Sequence, residues 1–291
     1  MRALLVHNPK AGSGRPSGKE LLAALDAAGF STTYCSVKSD DLDAALAQPA
    51  DIVIAAGGDG TVAKIARKLK DRKTLVAILP FGTANNIARC LGIEGDPDSL
   101  VKALRGAPVA RLDIGLAVGP WGSRRFVEAV GWGAIAKSVD REDPRLPKQT
   151  RIERGRAAFA KTVAAYEARR FVFTADDEAF EEDLIFVEAL NLGMTGPRMI
   201  IGPTAQPGDQ LLDIVYLPAE RRQEMLDWLA DGPDDRPAPL TVRKARKATL
   251  RWVDGPLRVD DQVFDAPELA SNIIIELEPD GLRVCVPAHQ A

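Results

Sequence analysis

The sequence predicts a two-part α/β protein, in which an N-terminal domain built on a parallel β-sheet precedes a β-rich domain. Its 291 residues exceed one ordinary domain of roughly 100–200 residues, so two domains are expected. Short apolar runs alternate with helical patterns up to residue 111, whereas strand-like runs dominate from residue 112 onward. We therefore place the domains at 1–111 and 112–291, and leave open whether the last strand returns to the first domain.

Each element of the first domain follows from the spacing of its apolar residues. The third and fourth strand segments are almost continuously apolar, as buried parallel strands are. In the first helical segment, apolar residues from Leu21 to Ala28 fall on one face. We predict strands at 3–7, 32–37, 51–58 and 74–82, and helices near 17–29, 40–48, 60–70, 84–92 and 97–106.

The second domain is predicted mainly from apolar runs of strand length. Two helical patterns interrupt these runs, at 154–170 and 219–230, and the Pro- and Asp-rich segment 231–240 is predicted as a surface loop. The predicted strands are LDIGLAV, RFVEAVGW, RFVFTA, LIFVEALNLG, QLLDIVYL, KATLRW, LRVDDQVF, NIIIELE and LRVCVP.

Composition and charge restrict the class of protein. Hydrophobic residues make up 46% of the chain and charged residues 27%, as in soluble globular proteins. A net charge of −3 provides no global field for a polyanion, so we expect no nucleic-acid partner. The sequence contains no signal-peptide core and no run of ~20 apolar residues, so we expect a cytoplasmic protein whose membrane contact is peripheral. Cys35, Cys90 and Cys285 lack a C-x-x-C spacing and are expected to be free thiols.

Three loops that contain glycine follow three of the predicted parallel strands. They span residues 8–14, 57–61 and 80–86. One such loop would be explained by turn geometry alone, but the carboxyl ends of parallel strands share one edge of a sheet. Glycines allow backbone N–H groups to approach phosphate oxygens, and a helix N-terminus adds partial positive charge. The three loops together therefore predict a phosphate-binding edge.

Several side chains in these loops have the chemistry that phosphoryl transfer needs. Gly60 and Thr61 begin the predicted 60–70 helix, and Asp59 stands between glycines where a carboxylate would meet magnesium or an acceptor hydroxyl. Further donors are Lys10, Ser13, Thr61 and Thr83. The two histidines, His7 in a strand and His289 near the C-terminus, are poor candidates for a base, so we expect carboxylates to carry the proton transfer.

Two common nucleotide motifs do not account for the loops. A P-loop is excluded because the Gly-Lys pair at 18–19 is followed by Glu20. Residues 58–63 satisfy the permissive dinucleotide pattern, but Pro80 and Phe81 stand where an acidic residue is expected, which makes a dehydrogenase a minor alternative.

The three loops and two further motifs resemble the diacylglycerol kinase catalytic-domain family, which includes bacterial diacylglycerol kinases and sphingosine and ceramide kinases. The resemblance covers nearly the whole chain. It rests on Asn8-Pro9 with Gly12 and Gly14, GGDGT at 57–61, Pro-x-Gly-Thr-x-Asn-Asn-x-Ala-Arg at 80–89, FVEAVGWG at 126–133, and 191–214 with its Asp-x-x-Leu-Asp pattern.

The resemblance implies a first domain like those of phosphofructokinases and NAD kinases, a C-terminal β-sandwich, and ATP with magnesium in a cleft between them. It implies transfer of the γ-phosphate to a hydroxyl of a lipid of the diacylglycerol, ceramide or sphingoid type. Asp59 resembles the essential carboxylate, and Asp59 and Asp213 are the candidate magnesium ligands. The implied nucleotide contacts are Asn8, Lys10, Gly12, Gly58, Gly60, Thr61, Gly82, Thr83 and Asn85.

The sequence departs from the family pattern at three places. Asp260-Asp261-Gln262 stands where the family has Asp-Gly-Glu, so Asp260 is the retained candidate base beside Asp59. Lys64 replaces a usual glutamate and Ile135 a usual aspartate. These departures keep two alternatives open: a kinase of a soluble acceptor such as NAD, and a nucleotide-binding protein that has lost catalysis.

Two basic clusters are candidates for contact with anionic lipid headgroups at the inner face of the membrane, although a solvated protein face is the simpler explanation. A homodimer is a candidate assembly. The clusters are Arg141, Arg145, Lys148, Arg151, Arg154 and Arg156, and Arg243, Lys244, Arg246, Lys247 and Arg251.

Overall fold

A computed structural model describes residues 1–11, 16–138, 146–232 and 236–287. The chain forms two compact units, one of Met1–Leu112 with Asp280–Ala291 and one of Asp113–Pro279. Some predicted site residues lie outside the described residues. These are Gly12, Ser13, Gly14, Arg141, Arg145 and His289.

The first unit is a parallel sheet with helices on its connections. In the described residues the strand order is β2-β1-β3-β4-β19-β5, and all neighbours are parallel except β19 and β5. Its strands are β1 (Arg2–His7), β2 (Ser31–Ser36), β3 (Ile52–Gly57), β4 (Leu75–Pro80), β5 (Val109–Leu112) and β19 (Leu282–Cys285). Its helices are α1 (Gly18–Ala27), α2 (Leu42–Leu46), α3 (Asp59–Lys68), α4 (Asn86–Cys90) and α5 (Pro97–Ala103).

Local sequence explains these elements. Every residue of β3 is buried, as expected for a central strand covered on both faces. Helix α1 begins at a capping box, in which the Ser17 hydroxyl accepts from the Glu20 N–H and the Glu20 carboxylate accepts from the Ser17 N–H. The parallel α/β fold predicted for this part of the chain is confirmed.

The second unit is mainly antiparallel β-structure. Its strands are β6 (Gly115–Gly119), β7 (Gly122–Phe126), β8 (Ala129–Gly133), β9 (Arg169–Ala175), β10 (Glu178–Leu190), β11 (Met194–Thr195), β12 (Met199–Ile200), β13 (Leu212–Pro218), β14 (Thr241–Ala245), β15 (Lys247–Trp252), β16 (Leu257–Val259), β17 (Gln262–Phe264) and β18 (Ser271–Leu277). Its helices are α6 (Ala134–Ser138), α7 (Lys148–Ala165) and α8 (Arg222–Asp231), the last preceded by a 3₁₀ turn at Ala219–Arg221.

The long strand β10 organises this unit. Its first half pairs with β9, and its second half pairs with β8 on one side and β13 on the other. The apolar residues of these strands and of β15 form one core that includes Trp132, Phe173, Phe186 and Trp252. The arrangement is β-sandwich-like, so the predicted β-rich class is confirmed.

Two of the predicted strands are each a pair of strands joined by a turn. The run 125–132 divides between β7 and β8, and the run 257–264 divides into the β16–β17 hairpin. In the hairpin Asp260 adopts the left-handed conformation, with φ of 52°, which an extended strand does not allow. Apolar spacing does not reveal such a turn, because Asp tolerates this conformation without a glycine to mark it.

Candidate functional site

The carboxyl ends of β1, β3 and β4 lie side by side in the first unit. Their described loops, 8–11, 58–61 and 81–86, therefore open on one edge of the sheet, which we call the loop edge. Two backbone hydrogen bonds connect the loops to neighbouring strands: the Asn8 N–H donates to the Ala56 carbonyl at 2.9 Å, and the Phe81 N–H donates to the Gly57 carbonyl at 2.9 Å. The common edge expected from the sequence is thus present.

Two glycines of the loop edge, Gly58 and Gly82, allow the second and third loops to pack closely. A Cβ on Gly58 would lie 2.8 Å from the Gly82 Cα, closer than real Cβ contacts come. Gly58 has φ of −95°, and Gly82 is not among the residues with positive φ, so left-handed turn geometry does not require either glycine. Glycine is needed at both positions because the second and third loops approach each other backbone to backbone.

Gly60 has a different environment. A Cβ there would meet no described atom within 4 Å, and the residue is exposed and does not have positive φ. Gly60 is the second residue of α3, and the N-cap Gly58 has no side chain with which to cap the first turn. An uncapped helix N-terminus that opens on free space is suited to an anion such as a phosphate group.

Asn85 contributes a polar atom to the loop edge. Its backbone is left-handed, with φ of 55°, and its Nδ2 donates to the Pro80 carbonyl at 3.0 Å. Its Oδ1 is buried and accepts no hydrogen bond from the described residues. A buried acceptor of this kind needs a donor, which a bound molecule or water would supply.

Asp59 is the first residue of α3, and it also caps α4. Its Oδ1 accepts a hydrogen bond from the Ile87 N–H at 2.9 Å. Burial raises the pKa of Asp59, although hydrogen bonds from the backbone N–H groups of Ile87, Asn86 and Asn85 act in the opposite direction. The carboxylate thus joins the second loop to the third, and a nearby cation would offset the cost of burying its charge.

The remaining predicted contacts of the loop edge differ in accessibility. Thr61 is buried, so its side chain helps to shape the loop. Lys10 is exposed, and its backbone N–H donates to Asn8 Oδ1 at 3.1 Å. The Asn8 side chain therefore stabilises a local turn. Thr83 is half-buried in the third loop. The roles of these residues toward a nucleotide stay predictions.

Asp260 lies in the second unit, where backbone amides surround its carboxylate. Its Oδ1 accepts from Val127, Glu128 and Ala129 at 3.1, 2.8 and 3.4 Å, and its Oδ2 accepts from Val127 at 3.1 Å. The residue is 4% exposed. The carboxylate therefore anchors the β16–β17 turn to the segment between β7 and β8, and both its oxygens are already engaged.

A buried ion pair supports the same turn. Arg258 donates from Nε and Nη2 to the two carboxylate oxygens of Glu188 at 3.0 and 2.8 Å, and from Nη1 to the Asp260 carbonyl at 3.1 Å. Its Nη2 also donates to Thr195 Oγ1 at 2.8 Å. This pair is not predicted from the sequence, where its signal is a single glutamate within the apolar run LIFVEALNLG.

Asn191 is a second buried polar residue that the sequence analysis did not single out. Its Nδ2 donates to the carbonyls of Asp113 and Val127, each at 2.8 Å, and its N–H donates to the Glu128 carbonyl at 2.9 Å. It fixes the backbone on which the Asp260 carboxylate rests.

Asp213, predicted as a magnesium ligand, is completely buried against a lysine. Lys244 Nζ lies 3.0 Å from Asp213 Oδ1, and Thr204 Oγ1 donates to Asp213 Oδ2. The ammonium thus stands where a cation bound to Asp213 Oδ1 would be. The side chains present therefore do not fit a metal at Asp213.

The three family departures have local explanations. Gln262 Oε1 accepts from Arg124 Nη1 at 2.8 Å on the exposed side of the β16–β17 hairpin. Lys64 Nζ donates to the Val37 carbonyl at 2.7 Å, and Ile135 is buried in α6.

His7 is buried, and its Nδ1 lies 3.4 Å from the Tyr34 hydroxyl. Burial lowers the pKa of the imidazole, in agreement with a packed rather than a catalytic histidine.

The basic clusters are partly used for internal contacts. Arg156 Nε donates to the Pro197 carbonyl at 3.0 Å, and the guanidinium of Arg243 lies 5.4 Å from the Phe180 ring centroid.

Among the described residues, helices with the length and apolar character of a membrane span are absent.

Comparisons with known proteins agree with this architecture. The model of the diacylglycerol kinase catalytic domain matches residues 2–117, and that of the YegS C-terminal NAD kinase beta sandwich-like domain matches residues 130–259. A probable lipid kinase YegS-like from Pseudomonas savastanoi is 32% identical over 81% of this chain and 76% of that protein. A diacylglycerol kinase from Staphylococcus saprophyticus is 25% identical over 90% of this chain and 88% of that protein.

A solved structure shares the fold. The crystal structure of a putative diacylglycerol kinase from Bacillus anthracis has a TM-score of 0.73 at 22% identity and covers 98% of this chain and 95% of that chain. With both family models matched in the order of the two units and a relative above 30% identity, the chain belongs to the diacylglycerol kinase catalytic-domain family.

Proposed function

We propose that this protein is an ATP-dependent kinase that transfers the γ-phosphate to a hydroxyl group of a lipid. The observation that carries the proposal is the open space at Gly60, in front of the uncapped N-terminus of α3 and beside Asp59. The names of the relatives, diacylglycerol kinase and probable lipid kinase, support a lipid as the acceptor.

The loop edge would hold the phosphate groups of the nucleotide. Gly60 lies in the first turn of α3, where the space around its Cα is free and the helix dipole favours negative charge. The donor required by Asn85 Oδ1 would come from a ribose hydroxyl, the adenine amino group or ordered water, because ionised phosphate groups only accept hydrogen bonds. A phosphoryl transfer needs this kind of positioning and charge neutralisation more than covalent chemistry from the protein.

Magnesium is proposed to enter together with the nucleotide. Clusters of three or more acidic, His or Cys side chains that could hold a metal are absent from the described residues. Magnesium is commonly held by one or two carboxylates together with substrate phosphates, and Asp59 is the carboxylate at the loop edge. When bound, the ion would neutralise charge on the phosphate oxygens.

Asp59 is also the better candidate for the carboxylate that receives the proton of the acceptor hydroxyl. It lies at the loop edge beside Gly60, where the γ-phosphate and the acceptor hydroxyl are proposed to meet. Asp260 has both oxygens engaged with the amides of residues 127–129. We therefore assign Asp260 to positioning of the β16–β17 turn and Asp59 to chemistry.

The acceptor would be a diacylglycerol, a ceramide or a sphingoid base. A kinase of this kind has to reach lipid in a bilayer, so we propose peripheral contact with the cytoplasmic face of the membrane. Exposed basic residues of the second cluster, such as Arg246 and Lys247, would contribute roughly 1 kcal/mol each near anionic headgroups.

The test is incubation with ATP labelled at the γ-phosphate, magnesium and a panel of acceptors. The panel contains diacylglycerol, ceramide and sphingosine in mixed micelles, together with NAD in solution. The proposal predicts label in one of the lipids and none in NAD. Label in NAD alone would establish the soluble-acceptor alternative, and ATP binding without any transfer would establish the alternative of lost catalysis.

A further inference from the structure

Lys64 places a half-buried positive charge at the loop edge. It lies on α3, four residues after Gly60. Its ammonium donates to the Val37 carbonyl at 2.7 Å. Val37 directly follows β2, whose carboxyl end lies beside that of β1. The ammonium is therefore held at the same edge of the sheet as the first loop.

The backbone at Val37 is fixed relative to the first loop. The Val37 N–H donates to the His7 carbonyl at 2.9 Å, and the next residue of the first loop, Asn8, donates from its N–H to the Ala56 carbonyl at 2.9 Å. These two bonds extend the pairing of β2, β1 and β3 beyond the ends of the strands. The carbonyl that accepts from Lys64 is thus part of the sheet framework.

Helix geometry directs the Lys64 side chain toward the start of α3. Residues four apart lie on the same face of a helix, and helical side chains lean toward the helix N-terminus. Gly60 and Lys64 stand in this relation, and a Cβ on Gly60 would meet no described atom within 4 Å. The Lys64 side chain therefore leaves α3 on the face that borders the free space proposed for phosphate.

The charge of Lys64 is not neutralised by a carboxylate of the described residues, which provide the Val37 carbonyl as its acceptor. A lysine ammonium has three donor hydrogens, so one such acceptor leaves two of them for other groups. Lys68, one turn further along α3, differs in this respect, because its ammonium lies 2.6 and 2.7 Å from the two carboxylate oxygens of Asp43. Lys64 is therefore the lysine of this helix that can neutralise a bound anion.

We propose that Lys64 binds a phosphate group of the nucleotide, while the Val37 carbonyl holds the ammonium in place. The phosphate chain then lies between the first turn of α3 and the end of β2, and the remaining N–H groups of Lys64 donate to phosphate oxygens. Hydrogen bonds between two charged groups are about twice as strong as neutral ones. The inference rests on the proposed function, because it adds a residue to the same nucleotide site.

The experiment measures ATP binding to the full chain by calorimetry, with magnesium and without lipid. Lys64→Met removes the charge and keeps an apolar side chain of similar length. The matched control is Lys68→Met, which makes the same change of charge on the same helix, one turn further from Gly60. Lys64→Gln keeps an N–H donor on an uncharged side chain and serves as the test if Lys64→Met does not fold.

Lys64→Met and Lys64→Gln should each bind ATP about 10-fold or more weakly than wild type, because a charge-assisted hydrogen bond to phosphate is lost. Lys68→Met should stay within about 2-fold of wild type, since its charge is more distant and is screened by salt. Inorganic tripolyphosphate shares with ATP only the phosphate chain. Its inhibition constant in competition with ATP should therefore rise in Lys64→Met by a factor similar to that for ATP itself.

Two results would overturn this inference alone. One is a folded Lys64→Met or Lys64→Gln protein that binds ATP as tightly as Lys68→Met, which would leave Lys64 as a link between α3 and β2. The other is a loss of ATP affinity with unchanged competition by tripolyphosphate, which would place the contact of Lys64 on the nucleoside. A wild-type protein that does not bind ATP would instead refute the proposed function, and this inference with it.

Discussion

Replacement of Asp260 by asparagine separates a positioning role from a catalytic one. The asparagine keeps the shape and tolerates the left-handed backbone, but it loses the charge and turns one acceptor oxygen into a donor. That donor would face the N–H groups of Val127 or Glu128, which now donate to the carboxylate at 2.8–3.1 Å. With the amide oxygen in the place of Oδ1, the change loses the one hydrogen bond to Oδ2 and weakens the three to Oδ1, which no longer reach a charged oxygen.

The expected cost follows from these contacts. A hydrogen bond to a charged group contributes about 1.5–3 kcal/mol, and an unsatisfied buried donor costs a similar amount. We expect the free energy of unfolding to fall by about 2–4 kcal/mol, which corresponds to a decrease of about 5–15 °C in melting temperature for a unit of this size.

The assay combines calorimetry of the full chain with lipid phosphorylation at saturating ATP and magnesium. A positioning residue predicts a clear loss of stability, with turnover recovering at temperatures well below the new melting point. The reasoning would be refuted by an Asp260→Asn protein with unchanged melting temperature and turnover reduced by ~10²-fold or more, since that is the signature of a general base.

Two further changes test the neighbouring assignments. Gln262→Glu should be tolerated, because the new carboxylate would pair with Arg124, an exposed contact that contributes about 0–1 kcal/mol; a loss of folding or of turnover would show that Gln262 has another role. Asp59→Asn should lower turnover by ~10²-fold or more at every magnesium concentration. Recovery of full activity in excess magnesium would instead show that Asp59 acts only by binding the metal.

The fold was predictable because the first unit follows simple patterns. The apolar strands β3 and β4 are separated by an amphipathic helix, and this pattern predicts a buried parallel sheet. In such a sheet the loops that follow the strands lie on one edge. The sequence did not predict why a glycine is needed at each position of these loops. Gly58 and Gly60 are two residues apart in one motif, yet only the structure distinguishes close packing against Gly82 from open space.

The polar interior of the second unit could not be predicted in the same way. Lys244 and Asp213 are far apart in sequence and become neighbours only through the register of β13 and β14. Arg258 and Glu188 meet across strands that are 70 residues apart. Pairings of this kind depend on sheet register, for which one sequence provides no direct signal.

The nucleotide affinity of Gly60→Ala tests whether the loop edge binds the phosphate groups of ATP. Alanine is favoured over glycine in a helix by about 0.5–1 kcal/mol, and the added Cβ meets no described atom, so the melting temperature should stay the same or rise. If phosphate groups occupy that space, the affinity for ATP measured by calorimetry should fall about 10-fold or more. Gly58→Ala provides the contrast, because its Cβ would collide with Gly82 and should lower stability and affinity together. A stable Gly60→Ala protein that binds ATP as tightly as wild type would contradict the assignment of the loop edge.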